Sequence, residues 1–164
     1  MPSTLWTHCI IEQLKNYHIR FLSYVPDSII EQILKLARHD PFFDILPLAR
    51  EEEGVGVCTG ANLAGRRCAL MMQNAGLLNS CNALTTTARQ IQIPMLLLVL
   101  YAGALNDMAF PMLGEVTEPV LRALGIPSYI LDDLDDAPDL IAGALVQAYN
   151  AQRPVAILMA KAVL

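Results

Sequence analysis

An α/β fold, a doubly wound six-stranded parallel sheet with helices on both faces, is the class this sequence predicts, and three observations predict it. Short apolar runs alternate with segments of helical periodicity along the whole chain. The run Met95-Leu96-Leu97-Leu98-Val99-Leu100 is hydrophobic at every position instead of every second one, as a strand covered on both faces must be. A length of 164 residues suits one core that buries roughly 68–70% of the unfolded surface, so the chain is read as one domain over 1–164.

The elements follow in order. Leu5, Trp6, Cys9, Ile10, Leu14 and Tyr17 recur at helical spacing behind a Ser3 cap. Arg20 to Val25 is a short strand stopped by Pro26, and Ser28-Ile29-Ile30-Glu31 has the form of a capping box opening a second helix. The alternation continues with a strand at Phe42 to Leu46, a helix from Glu51 to Ala64, a strand at Cys68 to Gln73 and a helix from Leu77 to about Gln90. A strand from Met95 to Tyr101 leads into an irregular stretch from Ala102 to Val116. A helix around Glu118 to Leu124, a strand at Ser128 to Leu131, a helix from Ala137 to Ala151 and a strand from Val155 to Met159 complete the pattern.

Composition excludes whole classes of function. The chain is 54% hydrophobic and only 16% charged, against roughly 25% charged in a typical soluble domain, and its mean hydropathy is +0.41. Such an apolar excess predicts a large subunit interface. A net charge of −5 and a pI near 5.0 exclude a nucleic-acid or anionic-membrane surface, which clustered Lys and Arg would have to build. The longest apolar run, Met95 to Leu105, falls short of the roughly 20 residues of a membrane span, and the amino end carries no signal-peptide pattern. Cys9, Cys58, Cys68 and Cys81 show no CxxC spacing and stand apart from His8, His18 and His39. Neither a disulfide framework nor a metal site is expected, and the chain is read as a protein of the reducing cytoplasm.

In doubly wound sheets ligands bind beyond the carboxyl ends of the strands, so the turns there carry the functional signal. No G-x-G-x-x-G follows the first strand and no G-x-x-x-x-G-K-[ST] occurs, which weakens a simple nucleotide binder. Three turns stand out. Val25-Pro26-Asp27-Ser28 leaves Asp27 to project from the first strand if Ser28 caps the helix, or makes Asp27 itself the cap. Arg50 to Gly65 begins with Glu51, Glu52 and Glu53 and continues with small residues. The carboxylates complement the helix dipole, but the glycines make a poor helix unless close packing compensates. Met72 to Thr86 ends a strand on Gln73, Asn74 and Gly76 and carries Asn79, Ser80 and Asn82 into a helix, an uncharged donor and acceptor set that is either an Asx turn or a ligand site.

These segments, with "FPMLGEVTEPVLRALGIP" from Phe110 to Pro127, together resemble the pyrimidine-binding (Pyr) domain of thiamine-diphosphate-dependent decarboxylases. Within that family the sequence is most similar to the alpha subunit of sulfopyruvate decarboxylase and the matching half of phosphonopyruvate decarboxylase. The resemblance runs the whole chain. It implies an alpha-type subunit of a two-chain 2-oxo acid decarboxylase, with an acetolactate-synthase-like carboligase or a non-catalytic module of the same fold as the alternatives.

Counting back nine residues from Gly60, the resemblance implies Glu51 as the catalytic carboxylate, with Glu52 as the fallback. In the family this group hydrogen-bonds a ring nitrogen of the cofactor's aminopyrimidine and promotes loss of the thiazolium proton. Asp27 is similar in placement to a polar residue near the reacting carbon. Gln73, Asn74, Gly76 and Asn79 look like the cofactor-binding loop, and Ser28 and Tyr101 are weaker substrate-binding candidates.

The family holds the diphosphate and Mg2+ on a domain carrying Gly-Asp-Gly, which this chain lacks. The resemblance therefore implies thiamine diphosphate shared with a separate beta-type subunit that also holds the magnesium, in a heterotetramer or larger assembly. The sulfo- and phosphonopyruvate enzymes carry a basic residue before a glycine after the fourth strand, whereas the order here is Tyr101-Ala102-Gly103-Ala104. This departure points to a less charged 2-oxo acid, its side chain near Tyr101, Leu105 and Phe110, with Arg66, Arg67 and Arg89 as the remaining candidate anchors.

Overall fold

The computed structural model describes residues 5–104, 107 and 109–160. Ser3, expected as a cap, and Leu105, expected beside the substrate, lie outside the described residues. Six strands, β1 (Phe21–Tyr24), β2 (Asp44–Pro47), β3 (Cys68–Gln73), β4 (Met95–Leu100), β5 (Ser128–Leu131) and β6 (Pro154–Met159), form one sheet. Their order is β2-β1-β3-β4-β6-β5, and every pairing is parallel. The doubly wound parallel sheet expected from the alternation is the observed architecture.

Residue parity along the strands explains the unbroken apolar runs. Leu96, Leu98 and Leu100 of β4 face one core, with Leu22, Met71 and Ile157, under helices α1 (Leu5–Asn16), α2 (Ile30–Ala37) and α7 (Ala137–Ala151). Met95, Leu97 and Val99 face the other, with Leu70, Met72 and Leu158, under α3 (Glu51–Leu63), α4 (Asn74–Asn79) and α6 (Pro111–Ala123). Both sets are fully or almost fully buried, so β4 has no solvent face on which a polar residue would be tolerated.

Three departures from the sequence reading go beyond a shift of one or two residues at an element's end. The helix expected from Leu77 starts at Asn74, directly after β3, because Gln73 is extended (φ −84°, ψ 157°) and no loop intervenes. It is not continuous: α4 is followed by a short α5 (Cys81–Ala83) and a π-type turn over Leu84–Arg89. Ser80 Oγ donates to the Gly76 carbonyl, Thr85 Oγ1 to Cys81 and Thr86 Oγ1 to Asn82, each at 2.8 Å, and back-bonding of this kind bends and loosens a helix. Helix α6, expected around Glu118, already begins at Pro111, whose ring suits the first helical position. Pro119 inside α6 lacks the amide for the Glu115 carbonyl, and both residues lie on the exposed side.

From β1 the chain moves outward to β2 and then returns to place β3 on β1's other side. The carboxyl ends of β1 and β3 therefore flank the switch point, where open α/β sheets bind ligands. Among the described residues no helix is long and apolar enough to cross a membrane, and no group of three or more His, Cys, Asp or Glu is placed to hold a metal ion.

Candidate active site

Two adjoining clefts open at these strand ends. One, of about 200 Å3, is lined by Val25, Pro26, Asp27, Glu51 and Gln73. The other, of about 190 Å3, is lined by residues that include Ile29, Leu100, Tyr101 and Phe110. Gln73, the last residue of β3, belongs to both and is the wall between them.

Asp27 stands where Pro26 has ended β1. Its Oδ1 accepts from the Ile29 amide at 2.7 Å, and its carbonyl accepts from Glu31 at 2.9 Å. Asp27 thus takes the capping role that the S-x-x-E pattern assigned to Ser28. Ser28 makes no cap and is exposed, and it lines neither cleft. Capping and facing the cleft are compatible: the Asx bond fixes the Asp27 carboxylate in the cleft wall.

The three glutamates that open α3 have three fates, set by the rotation of about 100° between helix residues. Glu51 is half-buried and faces the cleft. Glu52 is exposed and pairs with Arg50 at 3.5 Å. Glu53 folds back to accept from the Ala49 amide at 3.2 Å. The helix dipole favours all three, but Glu51 alone of them lines the cleft.

Glycines allow this arrangement. A side chain at Gly54 would run into Leu70 and Leu48, so α3 lies close on β3 and packing offsets the poor helix propensity there. A Cβ at Gly76 would stand inside the van der Waals radii of Glu51 Cγ, Cδ and Oε1. The glutamate stem fills the space that a side chain on α4 would occupy. Gly56 and Gly60 have open space beyond them, so the close packing expected for α3 is made within this chain at Gly54.

Asn74, expected to bind the cofactor, is fully buried and lines neither cleft. Its Nδ2 donates to the Ala102 carbonyl at 2.8 Å and to Thr117 Oγ1 at 3.0 Å, tying the start of α4 to the end of β4 and to α6. Asn74 Oδ1 has no hydrogen-bond partner among the described residues. Replacing Asn74 by Ala removes both bonds, and a loss of about 1–3 kcal/mol is expected in urea unfolding of the full chain. Asn79, the other amide expected at the cofactor, is exposed at the far end of α4 and lines neither cleft.

Tyr101 lies under the second cleft, its hydroxyl 3.0 Å from the Gly114 carbonyl and 3.2 Å from Glu118 Oε1. Burial, reinforced by the Glu118 carboxylate, pushes this hydroxyl up to about 12, so it remains a neutral donor. Gly103, at φ +77°, and Gly114 bring the loop after β4 against α6 with no room for a Cβ on either. The reserve arginines are engaged elsewhere: Arg66 with Asp44, Arg67 with the Tyr17 carbonyl at 2.9 Å and the Tyr149 ring at 4.4 Å, Arg89 with the Leu124 carbonyl. Arg66 and Arg67 precede β3 and Arg89 precedes β4, at the sheet end away from the clefts. The sequence reading passed over Asp107, which lines the second cleft; its place in the turn after a buried strand was the signal available.

Comparison with known proteins places this geometry in a family, although no family model matches the chain. The sulfopyruvate decarboxylase subunit alpha of Methanococcus maripaludis is 38% identical over 156 residues, which cover 93% of each chain. That of Methanocaldococcus jannaschii is 37% identical, covering 91% of this chain and 89% of its own. The phosphonopyruvate decarboxylase of Streptomyces viridochromogenes is 23% identical over 94% of this chain and 40% of that protein. Among solved structures, a 2-oxoglutarate:ferredoxin oxidoreductase from Magnetococcus marinus superposes with a TM-score of 0.76 at 17% identity, over 96% of this chain and 29% of that one. This last match speaks for the fold. The near-full-length identity, together with the strand-end clefts and the half-buried Glu51, leads to one conclusion: the chain belongs to the family of sulfopyruvate decarboxylase alpha subunits.

Proposed function

We propose that this chain is the pyrimidine-activating subunit of a two-chain, thiamine-diphosphate-dependent 2-oxo acid decarboxylase. The observation that carries the reading is the Glu51 carboxylate, half-buried in the cleft at the switch point with its stem seated on Gly76. The residues present fit one half of the cofactor. Two carboxylates and an amide around a cleft of about 200 Å3 suit an aminopyrimidine, whose amine donates and whose ring nitrogen takes a proton. The same acidic set repels a diphosphate, and no Lys, Arg or His lines either cleft among the described residues. A partner subunit therefore supplies the diphosphate and magnesium site.

Thiamine diphosphate, when bound, supplies a nucleophilic carbon and an electron sink for the pair released as carbon dioxide leaves. Glu51 would hold the pyrimidine ring nitrogen and hold or yield the proton there, an acid-base contribution of about 10²–10⁴-fold. Gln73 presents its amide at the wall between cofactor and substrate clefts. Asp27, held by the Ile29 amide, would offer a carboxyl group in the cleft wall as the source of the proton that replaces carbon dioxide. Phe110 is 52% exposed and Met112 67% exposed at the start of α6, an apolar rim that a partner subunit would cover to exclude water.

Gentle purification from the native cell, followed by oxidation to fluorescent thiochrome, tests the reading. A co-purifying chain with Gly-Asp-Gly and thiamine diphosphate in the complex is expected. A chain that purifies alone and takes up no thiamine diphosphate when magnesium and cofactor are supplied would contradict it.

A further inference from the structure

We infer that Asn74 is a positioning residue: it sets the gap between the two clefts, and through that gap the placement of the 2-oxo acid against the cofactor. This inference rests on the decarboxylase reading above and adds a residue to the same site. The ladder between β3 and β4 runs as far as the pair Gln73 and Leu100. Beyond it the end of β4 is held on its β6 side by the Tyr101 amide, which donates to the Met159 carbonyl at 2.9 Å. On its β3 side the chain has already turned into α4, and the bond comes from a side chain, Asn74 Nδ2 to the Ala102 carbonyl at 2.8 Å. The same nitrogen gives its other proton to Thr117 Oγ1 of α6 at 3.0 Å. Thr117 in turn donates to the Leu113 carbonyl, so both partners of Asn74 act as acceptors and the amide has one orientation. Reversed, its oxygen would face the Ala102 carbonyl.

One planar nitrogen thus joins three elements, and both Asn74 and Thr117 are fully buried, so water does not compete for the bonds. A Ser or Thr hydroxyl has a single proton to give, and an Asp carboxylate would oppose the Ala102 carbonyl. The joint lies directly behind the walls. Gln73, the neighbour of Asn74 in the chain, borders both clefts, and Tyr101 and Ala102 line the second. Asn74 itself lines neither, so it acts through these neighbours. A misplacement of about 1 Å can cost about 10²-fold in rate, and release of Ala102 frees one wall to move against the other. Glu51 is seated from α3 on Gly76, and neither bond of Asn74 reaches it.

The test uses the complex of this chain with its partner, loaded with thiamine diphosphate and magnesium, and a panel of 2-oxo acids that includes 3-sulfopyruvate and pyruvate. Per loaded site, Asn74→Ala is expected to lower kcat/KM for the best compound by about 10–100-fold, while proton exchange at the thiazolium carbon stays within about three-fold of wild type. Thr117→Val keeps the volume and removes the acceptor, and a loss of about three- to ten-fold is expected, whereas Thr117→Ser, which retains the hydroxyl, stays within about two-fold. Leu14→Ala, a cavity in the core under α1, controls for lost stability and is expected to keep wild-type kcat/KM per loaded site. Hydrogen exchange is expected to quicken in peptides covering Tyr101 and Ala102 in Asn74→Ala and not in Leu14→Ala. Wild-type kcat/KM in Asn74→Ala, a loss that Leu14→Ala shares, or thiazolium exchange that falls as far as turnover would overturn the inference and leave the decarboxylase reading standing. If the Asn74 variant does not assemble, the contrast between Thr117→Val and Thr117→Ser decides by the same measures. If the wild type turns over no 2-oxo acid, the decarboxylase reading falls, and hydrogen exchange at Tyr101 and Ala102 still decides whether Asn74 holds this wall.

Discussion

Glu51→Gln is expected to lower kcat of the assembled enzyme by about 10²–10⁴-fold, while Glu52→Gln stays within about two-fold of wild type. The amide keeps the size of Glu51 and its seat on Gly76 but cannot carry out the proton transfer proposed for the carboxylate. Glu52 is exposed and its ion pair with Arg50 is long, so its charge contributes little. Steady-state kinetics of the two variants, with partner and cofactor in excess, checks the contrast. Comparable losses in both would mean that the helix dipole or the local charge, and not one placed carboxylate, carries the effect.

Gly76→Ala is the second large effect, and it separates activity from stability. A helix position favours Ala over Gly by about 0.8–1 kcal/mol. The new methyl group meets mainly Glu51 Cγ, Cδ and Oε1, the flexible end of a side chain that can swing away. The urea midpoint is therefore expected to hold or rise slightly, while kcat falls by about 10–100-fold because the carboxylate has left its place. The double variant Gly76→Ala/Glu51→Gln is expected to be little worse than Glu51→Gln alone, as coupled residues are not additive. A Gly76→Ala protein with wild-type kcat would show that the seat of Glu51 is not required.

The way these two residues meet bears on what the sequence discloses. The hydrophobic Met95 to Leu100 run predicted a doubly covered strand, and β4 is buried on both faces, because burial on two sides leaves a mark at every position. The motif spacing singled out Glu51, and helical rotation separates it from Glu52 and Glu53 in the fold. The contact between Glu51 and Gly76 was not legible, since it depends on how close α3 and α4 approach across β3, a distance no local pattern encodes. Asn74 shows the converse. An amide at a strand end reads the same whether it points to a ligand or inward, and here it clamps Ala102 and Thr117. The break in the helix after Asn79 was written in Ser80, Thr85 and Thr86, whose hydroxyls compete for helix carbonyls, but apolar periodicity alone passed over it. Arg66, Arg67 and Arg89 looked available as anchors only while their partners, distant in sequence, were unseen.

The central claim, that Glu51 of this chain activates a cofactor shared with a partner, is tested most directly by proton exchange at the thiazolium carbon. The complex loaded with thiamine diphosphate is mixed with deuterium oxide, quenched in acid at set times, and the residual proton signal is read by NMR. Exchange in the wild-type complex is expected to be about 10²-fold or more faster than in the Glu51→Gln complex, with equal cofactor content in both. Equal exchange rates in the two complexes would contradict the claim.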